Sequence, residues 1–243
     1  MHTTHAIAAA FMAATAAALP NKSPITYYSA FLQLARFDNL SGPPVAIKEI
    51  GQYLDIDFKG IFLIPTLNLP GHPGVPPNTP SNMAGFTLVN PVSLLKGPPA
   101  MSVNYPDSTV DFFDLESFWY GCVLPTQETV ASSPISCDIT VTGFSDIAGE
   151  QQVCKQTFQF RVDGLVSSLI GGTPVGDQLV TVSKPMLKAN LNAGFRGVRK
   201  VVFAVADRSL LPSLLTVALL DTVEYTVYSK FSQHQVLYVT GST

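Results

Sequence analysis

Apolar and polar residues alternate one by one along most of this sequence, and no other feature constrains the fold as strongly. In Cys137–Thr142 the apolar residues fall at every second position. In Tyr53–Phe58 the residues Leu54, Ile56 and Phe58 share one side, and the residues between them share the other. Successive side chains of a β-strand point to opposite faces, so this alternation indicates strands with one buried face. About ten segments qualify: Tyr53–Phe58, Phe86–Leu88, Ala100–Tyr105, Thr109–Val123, Cys137–Phe144, Gln151–Val162, Gln178–Ser183, Gly197–Ala206, Val217–Tyr228 and Val236–Thr240.

The connections between these segments are rich in proline and glycine. Pro65–Pro80 and Lys96–Pro99 contain fixed φ angles and lack amide donors, which predicts exposed loops. Helical patterns are confined to Gly164–Ile170 and Pro185–Asn192, each about two turns long. Many short strands joined by turns predict an all-β fold, an antiparallel β-sandwich or jelly roll with one or two short helices.

The first eighteen residues form a segment of a different kind. Ala6–Ala18 is apolar and uncharged, and Ala16-Ala17-Ala18 offers an A-x-A cleavage signature. The run is too short to span a membrane, and no later stretch is long enough. We therefore expect a signal peptide at residues 1–18, a secreted protein without membrane insertion, and a single domain at 19–243. The alternative is an alanine-rich helix that belongs to the fold.

Composition excludes two classes of protein. With 47% hydrophobic and 13% charged residues, the chain is too apolar for an intrinsically disordered protein. Its net charge of −3 has the wrong sign to attract a phosphate backbone, so we expect no nucleic-acid partner.

Three cysteines can be interpreted together once export is assumed, because disulfides persist in oxidising compartments. Cys122 ends one predicted strand and Cys137 opens the next, so a bridge between them would close the loop that joins neighbouring strands. Cys154 shares parity with Phe158 and Phe160, which predicts a buried free thiol on the apolar face.

Segments along about 190 residues resemble, in order, those of secreted β-sandwich proteins of filamentous fungi. In that family an F-D-D-L-type segment comes first and an A-L-D-N-F-type strand comes last. The matching segments here are Arg36–Leu40, Leu54–Phe62, Asp114–Cys122, Ile139–Phe144, Gln156–Phe160, Gly197–Phe203 and Leu219–Tyr225. The resemblance implies a jelly roll similar to carbohydrate-binding modules, most of them without assigned activity. Asn39 and Thr222 depart from the family pattern.

The first and last strands of such sandwiches lie side by side, so Asp38 and Asp221 are candidate ligands of a structural Ca²⁺. The alternative is that both carboxylates cap turns or accept backbone amides at strand ends. No other cofactor is expected, since the sequence contains no phosphate loop, dinucleotide fingerprint or zinc spacing.

Catalytic residues are difficult to find in this sequence. Two carboxylates on one strand face could serve as the acid and base of a glycosidase, which makes Asp55 with Asp57, and Asp111 with Asp114 and Glu116, worth weighing. Every strand that faces water also needs polar residues, so hydrated faces explain these carboxylates equally. No G-x-S-x-G motif occurs, and His72 and His234 are too isolated for a triad. We therefore predict a protein that is not an enzyme.

Surface recognition remains, and aromatic side chains that stack on sugar rings would carry it. The candidate ligand-binding residues are Trp119, Tyr120 and Tyr105, with Tyr27 and Tyr28 as further candidates. Because Trp119 and Tyr120 are adjacent, one points into the core and the other away.

We therefore predict a secreted, non-catalytic protein that binds a polysaccharide or surface glycan in the extracellular space or cell wall. The alternatives are a glycan-active hydrolase or lyase, and a structural or host-interacting secreted protein. The sequons at Asn21 and Asn39 predict N-glycosylation.

Overall fold

A computed structural model of the protein describes residues 26–42, 48–65, 74–87, 97–124, 133–162, 183–207 and 216–230, and every structural statement below concerns these residues. They form eleven strands and one 3₁₀ turn. The strands are β1 (Tyr28–Ala35), β2 (Lys48–Tyr53), β3 (Ile56–Pro65), β4 (Asn82–Phe86), β5 (Ala100–Ser102), β6 (Val110–Val123), β7 (Cys137–Phe144), β8 (Gln152–Phe160), β9 (Leu187–Asn190), β10 (Lys200–Asp207) and β11 (Val217–Lys230). The 3₁₀ turn spans Ala193–Phe195.

All these strands belong to one sheet, in the order β8-β7-β10-β5-β3-β4-β11-β6-β9, with β1 added to β11 and β2 added to β3. Every strand pair is antiparallel. The long strand β11 pairs with β6 along one side; on its other side it pairs first with β4 and then with β1. The C-terminal half of β11 therefore lies between β6 and β1.

The sheet folds over so that its two halves face each other. Phe118 of β6 packs against Phe203 of β10 with ring centroids 5.8 Å apart, although four strands separate β6 from β10 in the sheet. Phe118 also packs edge-on against Phe158 of β8 at 5.6 Å. The core between the halves is almost wholly aliphatic and aromatic. This all-β antiparallel architecture, with two packed layers, is the predicted fold class. No helix in the described part of the chain is long and apolar enough to cross a membrane.

The alternation of buried and exposed residues in the structure confirms several of the predicted strands. In β7 buried and half-exposed residues alternate without interruption over all eight positions. The predicted strands at 100–105, 109–123, 151–162, 197–206 and 217–228 correspond to β5, β6, β8, β10 and β11. Of the segment Phe86–Leu88, Phe86 is the last residue of β4, Thr87 follows the strand, and Leu88 lies outside the described residues.

Two predicted elements are wrong. Tyr53–Phe58 is not one strand, because Leu54 and Asp55 form the tight turn between β2 and β3 with φ angles of 48° and 62°. Two consecutive positive φ angles are typical of a type I′ hairpin turn. Pro185–Asn192 is not helical, because Leu187–Asn190 pairs with β6 as β9. Gly164–Ile170 and Val236–Thr240 lie outside the described residues, as does Gln178–Ser183 apart from Ser183.

The disulfide between Cys122 and Cys137 is present, with the two Cα atoms 6.2 Å apart, as predicted. Cys154 is free. It lies on the same face of β8 as Phe158 and Phe160, but it is half-buried rather than fully buried. Partial burial raises the pKa of its thiol, with a smaller opposing effect from the Gly143 backbone.

Candidate ligand-binding groove

Three aromatic side chains from three adjacent strands form a row on the outer face of the sheet. Phe112 of β6 lies opposite Tyr228 of β11, and their rings stack with centroids 4.7 Å apart. Tyr28 of β1 meets the edge of Phe112 at 5.1 Å. Residues opposite each other in an antiparallel ladder project to the same face, which is why these rings meet. All three side chains remain partly exposed. We call Tyr28, Phe112 and Tyr228 the aromatic row.

A polar groove of about 460 Å³ begins where the aromatic row ends, and Tyr228 belongs to both. Its volume lies within the usual range of small-molecule sites. Strand β6 supplies one wall, the segment after β9 supplies the other, and β11 supplies Tyr228. The lining residues are Asp114, Leu115, Glu116, Leu191, Asn192, Ala193, Arg196 and Tyr228.

Two carboxylates of β6 point into this groove and are held by neighbouring donors. Asp114 accepts the amide N–H of Gly197 at 2.7 Å and the hydroxyl of Tyr228 at 3.1 Å. Glu116 accepts the hydroxyl of Thr226 at 2.8 Å. Gly197 has a φ of 68°, a backbone conformation that glycine adopts without strain, and this turn presents its N–H to Asp114. Within the described residues neither carboxylate has a lysine or arginine partner.

The hydroxyl of Tyr228 keeps its proton at neutral pH. Partial burial raises the pKa of this phenol, and the negative charge of Asp114 raises it further. Tyr228 therefore serves as a hydrogen-bond donor that fixes one oxygen of Asp114. The carboxylates remain available as acceptors for hydroxyl groups. Asn192, whose Oδ1 already accepts the amide of Gly194 at 2.9 Å, offers its side-chain amide as a donor, and Arg196 supplies further donors.

The charges around the aromatic row are paired. Asp111 accepts from Arg199, from Lys230 at 3.0 Å and from the hydroxyl of Tyr28 at 3.0 Å. Partial burial pushes the pKa of Asp111 up, but the hydrogen bonds from Lys230 and Tyr28 and the charge of Arg199 outweigh it and hold this pKa below its ordinary value. Asp111 therefore fixes Tyr28 at the end of the row, and two basic side chains balance its charge.

The aromatics predicted from sequence occupy other positions. Tyr120 is buried among Phe118, Phe158 and Phe160, and its hydroxyl donates to the carbonyl of Gln159 at 3.1 Å. The prediction that Tyr120 contacts a ligand is therefore wrong, because its ring is part of the core.

Trp119 is the outward member of the pair and is half-buried. Its register partners are Asp221 on β11 and Lys188 on β9. Tyr105 is half-buried in the turn before β6. Neither lines the groove. Tyr27 is exposed just before β1, and only Tyr28 of the named aromatics belongs to the row.

Asp38 and Asp221 both accept hydrogen bonds from the segment that leads into β4. The buried carboxylate of Asp221 accepts the amides of Thr79 at 2.8 Å and Thr222 at 2.6 Å, and both hydroxyls at longer range. Asp38 accepts the amide of Asn82 at 3.1 Å. Ca²⁺ requires six to eight oxygen ligands. No group of three or more metal-ligating side chains occurs in the described ranges. Both carboxylates therefore accept backbone amides, which is the alternative stated above, and we derive no role for the ion.

The remaining candidates are dispersed. Asp55 lies in the β2–β3 turn and accepts from Gln33 at 2.9 Å, while Asp57 lies on β3, so this pair does not reach the groove. Asn39 is exposed, which leaves its glycosylation a prediction, and Asn21, His72 and His234 lie outside the described residues.

The sequence indicated Tyr28, Asp114 and Glu116, but not the other members of the row and the groove: Phe112, Leu115, Leu191, Asn192, Ala193, Arg196 and Tyr228. Phe112 alone has a local signal, which is parity, since Phe112, Asp114 and Glu116 occupy alternate positions in one predicted strand. Tyr228 is brought to Asp114 from 114 residues further along the chain. Such a long-range pairing is not visible in a local pattern.

No protein-family model matches this chain, and no curated protein matches its sequence. Among solved structures, the chain is similar to a DUF4465 family protein from Bacteroides caccae ATCC 43185. The alignment covers 82% of this chain and 100% of that chain, with 14% sequence identity and a TM-score of 0.44. At this level of similarity we infer neither a family nor a function, and the resemblance to fungal proteins stays a prediction.

Proposed function

We propose that this protein is a secreted, non-catalytic protein that binds glycans of a cell wall or cell surface through the aromatic row and the adjoining groove. The observation that carries the proposal is their continuity at Tyr228, which belongs to both. A sugar ring has an apolar face of C–H groups and a rim of hydroxyls. An aromatic surface suits the first, and carboxylate, amide and guanidinium groups suit the second.

Two further observations support the proposal. The groove carries two carboxylates without a cationic partner in the described chain, and carboxylates accept hydrogen bonds from hydroxyl groups more strongly than neutral acceptors do. The disulfide Cys122–Cys137 is compatible with an oxidising extracellular compartment, in line with the predicted signal peptide.

The first experiment is retention of the purified protein on insoluble chitin, β-glucan and cellulose at low and moderate salt. Tyr228→Ala should lower retention about tenfold on whichever polymer binds, which corresponds to about 1.4 kcal/mol. Tyr105→Ala is the matched control, because Tyr105 is a partly exposed tyrosine outside the row and the groove. Melting temperatures of both variants verify the fold.

The outcomes separate the hypotheses. If none of the three polymers retains the protein, glycan binding ceases to be the leading hypothesis and a structural or host-interacting role takes its place. If Tyr105→Ala or Trp119→Ala abolishes retention and Tyr228→Ala does not, the protein binds glycans at another surface.

A glycan-active hydrolase is the second candidate, and one observation favours it: Asp114 and Glu116 line the same groove. Paired carboxylates are the usual catalytic groups of glycosidases. The test is release of reducing ends from the retained polymer. The protein is an enzyme and not a binding protein if the wild type releases reducing ends and if Asp114→Asn and Glu116→Gln each abolish this release.

A further inference from the structure

Strand β1 has an unusual edge. Four strands have a single pairing partner within the described residues: β1, β2, β8 and β9. Such edges offer unpaired backbone groups to other chains, and proteins protect them with lysines, bulges or short lengths. β2 contains Lys48 and a register shift, β8 contains Lys155, and the four-residue β9 contains Lys188. β1 has none of these protections.

The sequence of β1, Tyr-Ser-Ala-Phe-Leu-Gln-Leu-Ala, contains no charge and no proline, and its eight residues pair with β11 without interruption. Large apolar side chains are exposed on both of its faces. Phe31 is 55% exposed on one face and Leu32 is 65% exposed on the other, and Tyr27, Tyr28 and Leu34 are exposed as well.

We propose that β1 is the interface of a homodimer, in which β1 of one protomer pairs antiparallel with β1 of a second copy across a two-fold axis. The proposal does not rest on the proposed function, although Tyr28 belongs both to the aromatic row and to this edge. A second copy suits this edge because an uncharged strand meets an equally uncharged strand, and because a two-fold axis uses the same surface on both partners. Antiparallel pairing also continues the β11–β1 ladder into the partner.

The register follows from parity. Opposite residues in an antiparallel pair share a face, so a two-fold axis perpendicular to the sheet pairs residues whose numbers have an even sum. With Phe31 on the axis, Phe31 faces the partner's Phe31, Leu32 faces the partner's Ala30, and Tyr28 faces the partner's Leu34. This register brings together the exposed apolar residues on both faces.

The exposed area indicates how stable the dimer is. The five apolar side chains expose about 400 Å² per copy, at about 200 Å² for a whole aromatic side chain and about 100 Å² for a leucine. Two copies therefore bury at most about 800 Å² of this side-chain surface, whereas stable complexes bury about 1,200–2,000 Å² of total surface, backbone included. We expect a reversible dimer with a dissociation constant of roughly micromolar order.

The experiment is sedimentation velocity of the purified protein from about 1 to about 100 μM, concentrations that bracket the expected constant. The wild type should change from monomer to dimer. Phe31→Lys places two like charges opposite each other and should weaken dimerisation at least tenfold. Val153→Lys is the matched control, since Val153 is a 52% exposed apolar residue on the edge strand β8.

A cysteine variant gives a second, independent measurement. Opposite Cα atoms in an antiparallel pair lie about 4.5–5.5 Å apart, within the range of a disulfide. In a Cys154→Ser background, Phe31→Cys should form a covalent dimer under oxidising conditions and Val153→Cys should not.

Three results would overturn the proposal. They are a wild-type protein that stays monomeric at all concentrations, dimers that Phe31→Lys leaves unchanged, and β1 amides protected from hydrogen exchange to the same extent at every concentration. The last result would mean that another part of the same chain covers this edge.

Discussion

The buried carboxylate of Asp221 should be one of the costliest groups in the protein to remove. It is fully buried where β11 leaves β4 and joins β1. Asp221 lies opposite Trp119 and Glu224 opposite Ser117, so β11 contains an extra residue at this point. Thr222 has a φ of 47°, an unfavourable conformation for a β-branched residue, and its amide donates to Asp221 at 2.6 Å.

The magnitude of the loss follows from these contacts. Asp221→Ala would leave the amides of Thr79 and Thr222 without acceptors, at about 1–3 kcal/mol each. Relief from burying a charge offsets part of this cost. We expect the free energy of unfolding to fall by about 3 kcal/mol. Asp38→Ala is the control, because Asp38 is only half-buried and accepts one amide, and it should cost about 1 kcal/mol.

The assay is a urea titration followed by far-UV circular dichroism and by the fluorescence of Trp119, the only tryptophan of the chain and the register partner of Asp221. Equal m-values for the variants and the wild type would show that the midpoints report stability. A loss below about 1 kcal/mol for Asp221→Ala, or a loss no larger than that of Asp38→Ala, would refute the reasoning.

Two further predictions use the same titration. Burial raises the pKa of Asp221 despite its hydrogen bonds, so the native state binds this proton more tightly than the unfolded chain. Its ionisation therefore destabilises the fold above the native pKa, and the stability of the wild type relative to Asp221→Asn should rise as the pH falls from 7 towards about 4. A difference in stability that stays constant or decreases as the pH falls would contradict this prediction. Asp111, whose pKa is lowered, is present in both proteins, so its titration does not change the difference between them. Replacing Cys122 and Cys137 by alanine should cost about 3 kcal/mol through the freed loop, whereas Cys154→Ser should cost less than about 1 kcal/mol. Equal losses would argue against a structural role for the disulfide.

Sequence patterns predicted the strands that have one wet and one buried face. β7 is the clearest case, since its alternation in sequence is its alternation in burial. The Cys122–Cys137 bridge was predictable for a related reason, because it joins the ends of two such strands. β1 gave no such signal, because apolar residues are exposed on both of its faces. Leu54 kept the alternation in register through a tight turn, so β2 and β3 looked like one strand.

The site was less predictable than the fold. The sequence places Asp114 and Glu116 on one strand face, but nothing local distinguishes them from Asp55 and Asp57. The difference arises from the partners that the fold supplies, since Gly197 and Tyr228 reach Asp114 from 83 and 114 residues away. β9 shows the same limit, because its pairing with β6 overrides the weak helical pattern of Pro185–Asn192.

The position of β11 has a consequence for how the protein is made. This strand lies between β6 on one side and β4 and β1 on the other, yet the ribosome synthesises it after the ten other described strands. Until it emerges, β1 has no neighbour and β6 is separated from β4. Contacts such as that between Ser29 and Ser229 span 200 residues, and folds dominated by such contacts form slowly. A nascent chain that stops before residue 217 therefore lacks the strand that joins its two halves, and it yields unpaired sheet fragments for chaperones to hold.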